Sequence, residues 1–169
     1  MRLTQWLLQI QTIVWIALSS FSIHGFGQDA LWSPPVPGFP GSADWNAPGN
    51  WTPSAVPTGT ATFDVANNTQ IGVSGTAVVA ALQFTATAPA YTFTLADSSV
   101  IFELDGSGIA NASETTSPTF NTGASSLVFA STSTAANAII NTNDGGNTHL
   151  RTLEEKAVLH AGFEVVDVQ

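Results

Sequence analysis

Hydrophobic and polar positions alternate through the middle of this chain in short runs. Tyr91, Phe93 and Leu95 fall on one side of "YTFTLA" (91–96), with Thr92 and Thr94 on the other. In "VIFELD" (100–105), Val100, Phe102 and Leu104 oppose Ile101, Glu103 and Asp105. A period of two is the mark of a half-buried strand. "TATFDV" (60–65), "TQIGV" (69–73) and "AVVAALQFT" (77–85) read the same way, and "SSLVFAS" (125–131) and "NAIIN" (137–141) are weaker members. Turn residues separate the runs: Asn67-Asn68, Ser74-Gly75, Ala88-Pro89, "ADSS" (96–99) and "DGSG" (105–108). No long helical pattern with caps interrupts them.

The phenylalanines carry a longer period. Phe84, Phe93, Phe102, Phe120 and Phe129 are separated by nine, nine, eighteen and nine residues, and Phe63 precedes Phe84 by twenty-one. A repeat near twenty with a half-period near nine predicts a β-solenoid, in which each turn stacks its apolar residue on the last. The alternative is a β-sandwich with strands every eight to twelve residues. Asn67, Asn68, Asn111, Asn121, Asn137, Asn141 and Asn143 stand at run ends. This suits left-handed turn positions repeated in every rung. The strands also lack the large aromatic core expected of a compact sandwich. The expected fold is therefore all-β, a right-handed parallel β-helix segment with a thin core.

The flanks differ from the middle. Residues 1–27 run from Arg2 through an apolar stretch, Trp6 to Ile23, into small residues, the order of a secretory signal. The uninterrupted apolar run is short for a membrane span of about 20 residues. Cleavage is expected before Gln28, and the mature chain is expected not to span a membrane. Residues 28–57 are rich in Pro and Gly, which disfavour a central strand, and form a lead-in and N-terminal cap. Residues 58–147 hold the rungs. Residues 148–169 break the pattern: "RTLEEKAVLHAG" has helical spacing, with Leu150, Leu153, Ala157 and Ala161 near one side. Either a helical cap or a chain out of its natural frame fits this shift.

Charge narrows the function. The 169 residues include twelve acidic and three basic side chains, a formal charge of -9, and only 9% are charged. Arg2, Arg151 and Lys156 are all the Lys and Arg present. A surface with no fixed cation from Leu3 to Leu150 cannot neutralise phosphates, which excludes nucleic-acid binding. It offers anionic lipid no attraction either. Cysteine is absent, so disulfides and thiol chemistry are excluded.

Catalytic material is thin. Asp64, Asp97, Glu103, Asp105, Glu114 and Asp144 have no Arg or Lys among them to bind an acidic polysaccharide. Glu103 and Asp105 share a strand face about 7 Å apart, a spacing open to glycoside hydrolysis, but a solvated face reads better. His24, His149 and His160 lie outside the rungs, and no nucleophile elbow occurs. "DGSG" is a fragment of a calcium loop without its acidic ladder. Catalytic residues, metal ligands and cofactors are all expected to be absent. Trp45 and Trp51 are the candidate ligand-binding residues, as exposed rings that stack on sugars. Their place directly before the first strand favours the other role, covering the first rung of the solenoid.

"GNWTPSAVPTGTATF", "ALQFTATAPAYTFTL", "GSGIANAS" and "LVFASTSTAANAIIN" resemble the opening of bacterial autotransporter passengers of the adhesin-like kind. The resemblance covers about residues 43–146. Its most specific parts are Trp51 with Val56-Pro57 and "STAANAIIN" (133–141). It implies a secreted or cell-surface β-helix of a Gram-negative bacterium, structural or adhesive. Its implied partners are host or environmental surface glycans or proteins. Relatives carry a C-terminal outer-membrane β-barrel; this sequence has no series of ten-residue alternating strands to make one. A truncated or frame-shifted member is the expectation that follows. The alternative from another class is a small secreted carbohydrate-binding sandwich.

Overall fold

A computed structural model of the protein describes residues 27–35, 43–142, 147–151 and 165–167. Along the chain, β1 is Ala30–Trp32, β2 Trp51–Thr52, β3 Thr60–Phe63, β4 Gln70–Val73, β5 Ala77–Phe84 and β6 Thr92–Leu95. Then follow β7 Ile101–Asn111, β8 Thr119–Asn121, β9 Ser126–Ala130, β10 Ile139–Thr142, β11 Asn147–Arg151 and β12 Val165–Asp167. A single 3₁₀ turn, Pro48–Asn50, is the one helical element among the described residues.

The strands form two sheets that are not closed into a barrel. One has the order β11-β9-β7-β5-β3-β1-β2, the other β12-β10-β8-β6-β4. From β3 onward, successive strands fall in alternate sheets; β3 pairs in parallel with β1, and each strand from β5 onward pairs in parallel with the strand two before it. Among the described residues, the one antiparallel pair of strands is β1 with β2. An all-β fold is thus present, and its parallel pairing differs from the antiparallel ladders of hairpin-built sandwiches.

The phenylalanine spacing acquires a direct meaning. Phe84 lies in the first sheet, Phe93 in the second and Phe102 in the first again, so a step of nine is a crossing between sheets. Phe120 to Phe129 is the same crossing two strands later. Within a sheet the repeat is looser than twenty. Ile139 pairs with Thr119, twenty residues back, and Thr119 with Thr92, twenty-seven back. The extra residues sit in the connections, where no ladder constrains length.

The core lies between the sheets and is not thin. Phe63 stacks on its register partner Phe84 with centroids 4.8 Å apart, and Phe93 on Phe120 at 4.6 Å. Across the gap, Phe63 meets Phe93 edge-on at 5.5 Å. Every one of these rings is buried. The sequence expectation of a poor aromatic core failed because the rings are far apart in sequence and come together only by stacking.

Two other expectations are corrected. "DGSG" is not a turn but part of β7, which carries two more residues than β5 between Val79↔Leu104 and Ala81↔Gly108. Gly106 and Gly108 allow this bulge. A Cβ on Gly108, whose φ is +81°, would lie 2.3 Å from the Thr134 nitrogen, and one on Gly106 2.6 Å from the Ala80 carbonyl oxygen. Nor do the asparagines at 67, 68, 111, 121, 137 and 141 supply left-handed turns; Asn143 lies outside the described residues. Among the described residues, the non-glycines with positive φ are Ser131 and Ala136. Four of the asparagines instead pair with one another: Asn141 Nδ2 donates to Asn121 Oδ1 at 2.9 Å, and Asn111 Nδ2 to Asn137 Oδ1 at 2.9 Å. A side-chain amide that repeats between turns finds a partner in the next turn, so no special backbone is needed.

Thr148 does not mark an edge of the pattern. β11 spans it, pairing Thr148 with Leu127 and Arg151 with Ala130 in parallel, and β12 pairs with β10. Leu150 and Arg151, the start of the expected helix, are in β11; the rest of that helix, 152–161, lies outside the described residues. So do residues 1–26 of the expected signal and residues 36–42 of the lead-in.

Candidate functional site

The two candidate ligand-binding residues sit at the N-terminal end of the fold. Trp45 follows Asp44, which bridges to Gly72 at the free edge of β4; the Trp45 N–H donates to the Gly72 carbonyl at 2.7 Å. Asp44 also accepts from the Ser74 hydroxyl at 2.8 Å. Trp51 opens β2, opposite Trp32 of β1. The segment therefore seals both sheets at this end: β2 covers β1, and residues 43–45 cover β4.

The rings close the core there. Trp45 is 0% exposed and Trp51 2%. Trp51 meets Trp32 edge-on at 5.0 Å and Trp45 at 4.8 Å, and Trp45 meets Phe102 at 4.8 Å. Trp51 Nε1 donates to the Trp45 carbonyl and Trp32 Nε1 to the Asn68 carbonyl, each at 2.8 Å. Trp45 Nε1 is buried without an acceptor. Both faces on which a sugar would stack are occupied by protein, so the two rings offer no open binding platform and cover the first layer instead. The physical reason is burial: an open first layer would expose the column of phenylalanine rings to water. The Pro/Gly-rich composition signalled a departure from regular strands but not which way the rings point.

The carboxylates do not converge. Glu103 and Asp105 lie on the outward side of β7, half-exposed and exposed respectively. Asp64 instead ties two turns together. Its Oδ1 accepts from Thr85 Oγ1 at 2.7 Å and Thr87 Oγ1 at 2.6 Å. The bonds from Thr87 and then Thr85 hold its pKa below the ordinary carboxylate value. The Tyr91 hydroxyl donates to the Asp64 main-chain carbonyl, and burial, with the nearby Asp64 charge, pushes the Tyr91 pKa up to about 12. Asp97 is held low by the Ser99 side chain and N–H.

These bonds belong to a general device. The Ser125 hydroxyl donates to the Asp97 carbonyl, Thr116 Oγ1 to the Ala88 carbonyl at 3.0 Å and Ser133 Oγ to the Leu104 carbonyl at 2.6 Å. In each case a hydroxyl of one turn satisfies a main-chain oxygen of the turn before. Main-chain oxygens at the corners need partners, and small hydroxyls supply them without charge. This use is not legible in the sequence, because the partners lie 25 or more residues apart.

Among the described residues no three His, Asp or Glu side chains come close enough to hold a metal ion. His149 is placed in β11; His24 and His160 lie outside the described residues. No described helix is long and apolar enough to cross a membrane. The outward face of the second sheet is an uncharged array. Gln70, Thr92, Thr119 and Ile139 share one row, and Gly72, Thr94, Asn121 and Asn141 the next, in unbroken register. Such a face offers hydroxyl, amide and methyl groups for contact and no group for bond-breaking chemistry. No protein-family model matches the chain, and no curated protein or solved structure matches it either.

Proposed function

We propose that this chain is a structural and adhesive segment of a secreted, cell-surface passenger of the autotransporter type, built as a right-handed parallel β-helix and without catalysis. The observation that carries the reading is the alternation of successive strands between two parallel sheets above a sealed N-terminal end. A β-helix needs that arrangement: every turn buries its apolar residues on its neighbour, and the first turn needs a cover. The uncharged outer face of the second sheet supports contact with neutral surfaces, glycan or protein, over the attraction of polyanions. The carbohydrate-binding sandwich lacks support, since its two tryptophans are inside.

The test is display. The full chain, with its own first 27 residues, is joined to an outer-membrane β-barrel in a Gram-negative host. Cleavage near Gln28, exposure to added protease at the cell surface, and retention of cells on a glycan- or protein-coated surface are expected. An unprocessed chain kept in the cytoplasm, or displayed cells that adhere no better than cells bearing the barrel alone, sinks the proposal.

A further inference from the structure

Three Asn-x-Ser/Thr triplets, the acceptor sequence for N-linked sugar, occur in this chain: Asn50-Trp51-Thr52, Asn67-Asn68-Thr69 and Asn111-Ala112-Ser113. The fold treats them differently. Asn50 is 2% exposed, its Nδ2 donates to the Asp44 carbonyl at 2.8 Å, and the residue after it, Trp51, is part of the cap. Asn111 Nδ2 donates both to the Thr116 carbonyl at 2.7 Å and to Asn137 Oδ1 at 2.9 Å, which uses both of its protons. Ser113 of the same triplet is buried.

Asn67 is exposed, in the six-residue connection between β3 and β4. Its neighbours hold it outward. The Asn68 carbonyl accepts from Trp32 Nε1 at 2.8 Å, and Asn68 Oδ1 accepts from the Gln70 N–H at 2.9 Å. Asp64, at the start of the connection, is tied to Thr85 and Thr87. Asn68 is thus bound to the cap, and Asn67 stands in solvent beside Val65, which is 73% exposed.

We propose that Asn67 is a site of N-linked glycosylation, and that the fold selects it over Asn50 and Asn111. The donor class is a sugar carried on a diphosphate. Asn67 Nδ2 forms a bond to the anomeric carbon as the bond from that carbon to the diphosphate oxygen breaks. The electron pair leaves with the diphosphate, and one Nδ2 proton passes to a base of the transferase. No oxidant or reductant enters. A sugar on Asn67 extends into water, whereas one on Asn50 displaces the bond to Asp44 and crowds the cap. One on Asn111 breaks the amide bridge to Asn137. The inference does not rest on the adhesive reading: a chain that fails to adhere still presents this triplet.

The experiment uses the folded full chain and two donors. One arm supplies UDP-glucose with a soluble transferase specific for Asn-x-Ser/Thr; the other supplies a lipid-diphosphate oligosaccharide with a membrane oligosaccharyltransferase. Peptide mass mapping then locates the sugar. Sugar on Asn67, none above background on Asn50 or Asn111, and its loss in Asn67→Gln are expected, and the productive arm identifies the donor. Free peptides spanning the Asn50 and Asn111 triplets accept sugar, as a check that the fold and not the local sequence protects them. An unmodified Asn67 in both arms overturns the proposal. So does modification of Asn50 or Asn111 in the folded chain to the same extent as Asn67.

Discussion

At the scale of single residues, glycines and one tyrosine carry the sharpest consequences. Gly108 and Gly123 both have positive φ, but only Gly108 has atoms in the way of a side chain. Gly123→Ala meets open space and is expected to cost about 1–2 kcal/mol from backbone conformation alone. Gly108→Ala adds a collision with the Thr134 main chain and is expected to cost more, about 3 kcal/mol or above. Urea unfolding of the two variants measures the difference; equal midpoints would refute the bulge described at Ala81↔Gly108. Tyr91 is the only tyrosine in the chain, so its phenolate absorbance reports one site. Its pKa is raised from 10.0 to about 12, so the folded state favours the neutral phenol. The resulting stability is complete below pH 10 and is lost as pH rises through about 12. An absorbance titration of the folded chain should therefore show ionisation delayed past the ordinary range. Asp64→Asn, which removes the smaller of the two causes, should bring it partway back.

At the scale of elements, the cap decides how the sheets begin. Trp45 fills a pocket bounded by Trp51, Phe63, Phe93 and Phe102, at the cost of an indole N–H without an acceptor. Trp45→Ala should destabilise by about 3–5 kcal/mol. Trp45→Phe keeps a ring, removes the orphan donor, and should cost less than half as much. Hydrogen exchange should show where the loss falls: amides of β3 and β4 lose protection in Trp45→Ala before those of β8 and β10. Uniform loss along the chain would mean that the cap and the turns unfold as one unit. The seven strand-like runs marked by alternation all contain strands. Missed were the five-residue β11, the second half of β7, and β1, β2, β8 and β12, three residues or fewer each. Strands that short carry too few positions for a period of two to register. The missed half of β7 holds Gly106 and Gly108, whose turn signal hid a bulge.

At the scale of the whole molecule, scarcity of charge and abundance of Ser, Thr and Asn have one explanation. Parallel strands that alternate between two sheets leave main-chain oxygens in their connections and set side chains in register from strand to strand. Hydroxyls satisfy the first, as at Ser125, Thr116 and Ser133, and amide pairs join the second, as at Asn121 and Asn141. Like charges stacked at a spacing of about 4.8 Å would repel, so a neutral polar surface is the stable choice for a repeating ladder.

The sequence by itself determined the strand class and most strand positions, because alternation is a local consequence of a two-sided strand. It also excluded thiol chemistry, because cysteine is absent. Only the tertiary structure decided that Trp45 and Trp51 face inward and that "DGSG" passes through a strand. It alone also showed that the asparagines pair across turns and that one Asn-x-Ser/Thr triplet of three stands in water. Each of these depends on what lies 20 or more residues away in the chain, and burial is a property of those neighbours rather than of the residue itself.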